Sequence, residues 1–128
     1  MAISSIVGLL CLELVVIVAI AVALHRYSAR KIARSFELNL IGQRYLTAQL
    51  YEEALTHFKE SVEINRKVSY FWENLGDAYV KMDQLQEAIS SYKEALKLDP
   101  NNRELFNKTA TIQKDVKKQK TEQVEDHV

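Results

Sequence analysis

Residues 70–100 read YFWENLGDAYVKMDQLQEAISSYKEALKLDP, and residues 36–66 read FELNLIGQRYLTAQLYEEALTHFKESVEINR. Laid one over the other, the two stretches align without a gap at an offset of 34 residues. Gly42 meets Gly76, Tyr45 meets Tyr79, and Glu53-Ala54 meets Glu87-Ala88. Lys59-Glu60 meets Lys93-Glu94, with Phe58 against Tyr92 and Leu55 against Ile89. A repeat of this period is the signature of a stacked helical array, in which no single unit can bury its apolar face alone.

The residue types say how such a unit packs. Within each unit apolar positions recur at helical spacing, as in Leu38, Ile41, Tyr45 and then Ala54, Leu55, Phe58, Val62. Small residues at Gly42, Ala54, Gly76 and Ala88 allow two antiparallel helices to approach closely, and Tyr45, Phe58, Tyr79 and Tyr92 fill the space. Segments 48–51 and 82–85 are short enough to be turns between neighbouring helices. Asp99-Pro100-Asn101-Asn102 closes the second unit, because the residue before proline avoids the helical region and asparagine favours turns.

The second unit resembles a tetratricopeptide repeat at Trp72, Leu75, Gly76, Tyr79, Ala88, Tyr92, Ala95 and Pro100. The first is similar at Leu38, Ile41, Gly42, Tyr45, Ala54, Phe58 and Ser61, with Arg66 where proline is usual. The resemblance implies an all-α solenoid of two repeats, 36–68 and 69–102, with a further helix over 103–119 as its cap. Its apolar side would be Leu105, Phe106, Thr109, Ile112 and Val116. Residues 120–128 are too charged to bury and are expected to be disordered.

By family position the resemblance also implies a partner-binding groove made of Asn39, Gln43, Leu46, Tyr70, Glu73, Asn74, Asp77 and Lys108. One subclass of these repeats clamps the terminal carboxylate of chaperones with Lys, Asn and Arg. Asn74 and Lys108 fall on two clamp positions, but Asn39 and Glu104 stand where cations are needed, so a carboxylate would meet too little positive charge. The groove instead suits a helix or extended segment that brings Lys or Arg, or an adjoining subunit of a membrane complex.

The first 25 residues are of another kind. From Ile3 to Leu24 only Ser4, Ser5, Gly8 and Glu13 interrupt an apolar run of 22 residues, and about 20 suffice to cross a bilayer. Fourteen Leu, Ile and Val residues contribute about −4 to −8 kcal/mol to insertion, against about +2.5 to +3.5 for one central acid. The run is therefore expected to span a membrane despite Glu13. The leader MAISSI carries no basic residue and no small-x-small site follows the run, so retention rather than cleavage is expected. Arg26, Arg30, Lys31 and Arg34 all follow the run, in a basic segment 26–35 at the membrane surface. The positive-inside rule then puts the N-terminus outside and the repeats on the cytoplasmic, stromal or matrix side. His25 and Tyr27 read as interfacial residues.

Three readings of Glu13 stay open. It contacts a helix of a neighbouring membrane subunit, which is the favoured one; it is merely tolerated in a single span; or, with Gly8 five residues before it, it marks processing as in type IV pilins and their relatives. The last would make the chain a filament or complex subunit assembled through its N-terminal helix.

Composition narrows the rest. The net charge is zero, and residues 36–102 hold eleven acidic against seven basic side chains, so no nucleic-acid footprint exists. Cys11 is the only cysteine, and there is no glycine-rich phosphate loop, metal-spaced His/Cys cluster or nucleophile motif. No catalytic residue, metal or other cofactor is expected. His57 reads as an exposed helix histidine. The expectation is a membrane-anchored adaptor or scaffold for a protein partner, accessory to the assembly of a membrane complex. Proteins of this plan include import receptors and factors that assist photosystem assembly.

Overall fold

The computed structural model describes residues 2–125. They form five helices: α1 Ala2–Thr47, α2 Tyr51–Ile64, α3 Ser69–Lys81, α4 Leu85–Leu98 and α5 Arg103–Glu125. The chain divides into a compact unit ending at Ala33 and another beginning at Arg34.

In the first unit every described residue is exposed, and the apolar segment is long enough by length and composition to cross a membrane. Residues 26–35 lie inside α1, which runs on unbroken to Thr47. The physical reason is the absence of a stop: no glycine or proline occurs between Leu9 and Ile41, and Ala, Arg, Lys and Glu carry the helix through the basic stretch. Ser28 caps nothing there; its hydroxyl donates back to the His25 carbonyl at 2.8 Å.

In the second unit burial begins at Ser35 and continues at Leu38, Asn39 and Gly42. One core joins Ala54, Leu55, Phe58 and Val62 of α2 to Phe71, Leu75 and Ala78 of α3, with Tyr45 and Leu46 of α1 packed against it. A second joins Ala88, Tyr92 and Ala95 of α4 to Leu105 of α5. Trp72 and Tyr79 touch both and link the two cores. The offset of 34 residues persists in three dimensions: Phe58 lies over Gly42 as Tyr92 lies over Gly76. A Cβ on Gly42 would come within 2.7 Å of the Phe58 ring, so the glycine is what admits the aromatic.

The turns repeat as well. Gln49 and Asp83, at equivalent positions, adopt left-handed backbone with φ of 62° and 58°. Each ends its helix in the same way: Leu50 N–H donates to the Tyr45 carbonyl at 3.0 Å and Gln84 N–H to that of Tyr79 at 2.9 Å. A side chain in this region costs energy that glycine does not pay. Gln49→Gly and Asp83→Gly are each expected to raise the unfolding free energy by about 0.5 kcal/mol, measured by denaturant titration; a loss of 1 kcal/mol or more would contradict the strain.

Two expectations need correction. The cap helix does not end at Gln119 but continues to Glu125, because the lysine- and glutamate-rich stretch is a good helix former and Lys118 pairs with Glu122 one turn on. The remainder of the tail expected to be disordered, residues 126–128, lies outside the described residues. His57 is not a free surface histidine: it is half-buried and stacks on Tyr45, ring centroids 5.3 Å apart and planes 8° from parallel.

Candidate partner-binding groove

The C-terminal part of α1, α3 and α5 are the first helices of successive units, and their outward sides form one surface. Contacts across it establish the continuity. The Phe36 and Tyr70 rings lie 6.3 Å apart, centroid to centroid. Asn74 Nδ2 donates to Asn39 Oδ1 at 2.9 Å, and Lys108 Nζ donates to Glu73 Oε1 at 3.2 Å. These last two bonds are one rung repeated, since Asn39 corresponds to Glu73 and Asn74 to Lys108 at the repeat offset. The period therefore extends into α5, which is held as the opening helix of a third unit.

The surface has two halves of different character. At one end Phe36, Leu40 and Tyr70 expose 43%, 50% and 44% of their area. At 100° per residue, positions 36, 40 and 43 fall on one side of α1. Phe36 is steadied from below by an edge-on contact with the buried Phe71, centroids 5.0 Å apart. At the other end Lys108 Nζ also donates to Asp77 Oδ1 at 3.1 Å, and the Tyr92 hydroxyl donates to the same oxygen. One ammonium thus answers two carboxylates, and this end keeps a net negative charge.

The pairing sets the proton affinities. Burial raises the Tyr92 pKa well above its ordinary value of 10.0, and its hydrogen bond to the Asp77 carboxylate adds to the rise. Burial pulls Lys108 down from 10.5, but the bonds and charges of Asp77 and then Glu73 outweigh it, leaving a net rise. Both groups hold their protons more tightly folded than unfolded, so their contribution is whole below about pH 10 and is lost as pH rises above it. Denaturant titrations between pH 8 and 11 are expected to show stability level at first, then falling by up to about 1.4 kcal/mol per pH unit and group. Tyr92→Phe makes that fall shallower; an unchanged slope would contradict the linkage.

The sequence-expected residues do not all reach the surface. Gln43 and Tyr70 are exposed, and Glu73, Asn74, Asp77 and Lys108 are half-buried and bonded to one another or to neighbours. Asn39, at 2% exposure, is buried beneath Asn74, and its Nδ2 has no partner among the described residues. Asn39 therefore cannot present its side chain to a partner, whereas Leu46 is half-buried and packs against the first core. Sequence reasoning missed Phe36 and Leu40, although the repeat offset pairs them with Tyr70 and Asn74 and would have found them.

The family follows from these repeats. Models described as tetratricopeptide repeat match residues 38–69 and 69–102. The chain belongs to the tetratricopeptide repeat family.

Among curated relatives, the chain is 32% identical over 65 residues to the chloroplastic tetratricopeptide repeat domain-containing protein PYG7 of Arabidopsis thaliana, covering 51% of this chain and 22% of that protein. It is 37% identical over 59 residues to heat shock protein STI1 of Saccharomyces cerevisiae, covering 46% and 10%. It thus spans less than a quarter of either relative's length. Similar solved structures include the TPR2B domain of yeast Sti1 in its complex with pHsp70, at TM-score 0.63 and 26% identity over 67% of this chain and 69% of that one. Another is the first tetratricopeptide domain of Spaghetti (RPAP3) bound to the HSP90 peptide SRMEEVD, at TM-score 0.62 and 23% identity over 65% and 68%. In the present chain the two residues on clamp positions, Asn74 and Lys108, are each engaged by side chains of the repeat unit itself.

Proposed function

We propose that this tetratricopeptide repeat protein is a membrane-tethered adaptor. The apolar part of α1 spans the bilayer, and Arg26, Arg30, Lys31 and Arg34 hold the following turns at the headgroups of the cytoplasmic, stromal or matrix side. The repeat unit then receives a segment of a partner protein, and the role is accessory to the assembly of a membrane complex. The observation that carries the reading is the exposed apolar arc of Phe36, Leu40 and Tyr70 beside an acidic end whose one lysine is already paired.

That arrangement favours a partner opposite in chemistry to SRMEEVD. A segment with an apolar anchor for the arc and Lys or Arg for Glu73 and Asp77 is complementary, whereas an acidic terminus meets excess negative charge. The topology is tested on membranes containing the full chain. Alkaline extraction is expected to leave it in the pellet, and protease on the cytoplasmic side to remove the repeat unit. Mass spectrometry is expected to find the stretch before Leu9 retained; a soluble form contradicts the tether, and a chain starting at Leu9 would instead establish processing after Gly8.

A second reading rests on Glu13, which lies exposed on α1 in a shallow apolar setting of Leu12, Val16 and Ile17. It would make the chain a structural subunit assembled through its N-terminal helix. Partner association lost on Glu13→Leu, but kept on changing the groove, would favour it.

A further inference from the structure

We propose that the outer side of α5 is a second docking surface, whose occupant is an acidic amphipathic helix of a partner protein. The two complete units provide the template. In each, the first helix carries a glycine, Gly42 or Gly76, over which the second helix lays an aromatic ring. At the same offset α5 has Ala110, which is exposed, and one turn before it Phe106, 62% exposed where Trp72 is half-buried between two cores. Phe106, Ala110, Gln113 and Lys117 fall on one side of α5; Phe106, Ala110 and Lys117 are exposed, while Gln113 is half-buried and, with Lys117, borders α4. This is a first helix presenting the face that a second helix fills in the other units.

The chemistry of the occupant follows from what surrounds the face. Beside it, between α4 and α5, opens a cleft of about 350 Å³ lined by Ile89, Lys93, Val116, Lys117 and Lys120 among others. Among the described residues the ion pairs of α5 take Lys108 and Lys118, and none takes Lys117 or Lys120. In the complete units the second helices begin with acids, Glu52 and Glu53 in α2 and Glu87 in α4. A helix entering in the same pose would set its acidic first turn toward the lysines. The Cβ of Ala110 occupies part of the space that the rings of Phe58 and Tyr92 use elsewhere, so the residue above it is a leucine or another aliphatic rather than an aromatic.

The probe is a helix-stapled peptide of residues 51–64, YEEALTHFKESVEI, carrying Phe58→Leu, titrated by fluorescence anisotropy against the full chain in nanodiscs. Saturable binding is expected, lost on Ala110→Glu and weakened about tenfold by Lys117→Glu with Lys120→Glu. Because these positions are exposed, circular dichroism melts of the variants should match the parent, and any variant that melts early is replaced by Ala110→Gln. Absence of binding, or binding indifferent to Ala110, overturns the proposal. So does a dimer in sedimentation that Ala110→Glu dissociates, since the occupant would then be a second copy.

Discussion

Gly76→Ala is expected to lower the unfolding free energy of the repeat unit by about 3 kcal/mol, at the upper end of what overpacking a core costs. The added methyl group would overlap the edge of the Tyr92 ring. That ring is buried among Ala88, Ala95 and Leu105, and its hydroxyl is tied to Asp77. Two repeats make a small unit, and a domain stable by about 5 to 15 kcal/mol loses a large share of its margin. Tyr92→Leu in the same chain should recover part of the loss, because it removes the atoms with which the methyl collides. Denaturant titration of the single and double variants measures the coupling. Additive losses, with no recovery, would show that the glycine is not there to admit the ring.

The second large effect is on binding. Leu40→Asp with Tyr70→Ser is expected to weaken the partner at least 30-fold, about 2 kcal/mol, with the thermal melt little changed. Leu40 is half exposed, and Tyr70 rests on Phe71 only at its edge, so the pair can be altered without opening the core. A charge reversal at Asp77 is a poorer choice. It would strand Lys108 beside a new cation and remove the acceptor of the Tyr92 hydroxyl, so lost binding would report lost folding. Isothermal titration with the isolated partner is the measurement, and retention of full affinity would move the interface off this surface.

The repeat was legible because its defining contacts are local in type. A glycine, an aromatic sixteen positions on and an alanine between them state how two helices meet, and Gly42, Ala54 and Phe58 do so as plainly as Gly76, Ala88 and Tyr92. The turns at 48–50 and 82–84 followed from the same spacing. The continuity of α1 was less legible: a basic stretch after an apolar one reads as a flank, and only the lack of any helix breaker argues otherwise. The bonds within the groove were not legible at all. Asn39 with Asn74, and Glu73 with Lys108, meet only because helices of successive units stack, and spacing along one helix does not reveal which polar residue the next will claim. Phe36 and Leu40 follow from the offset, which pairs them with Tyr70 and Asn74, whereas Asn39 turns inward and Leu46 lies half-buried against the first core.

If the lipid-held chain takes a foreign polypeptide on the face of α1, α3 and α5, that polypeptide lies within reach of Leu40. A photo-crosslinking residue placed at Leu40 in native membranes, with a control at exposed Ser90 on α4, tests it most directly. A discrete adduct with one protein is expected from the Leu40 site, absent from Ser90 and abolished by Tyr70→Ser. An adduct formed equally from both sites, or formed from Leu40 only with the chain's own residues, would contradict it.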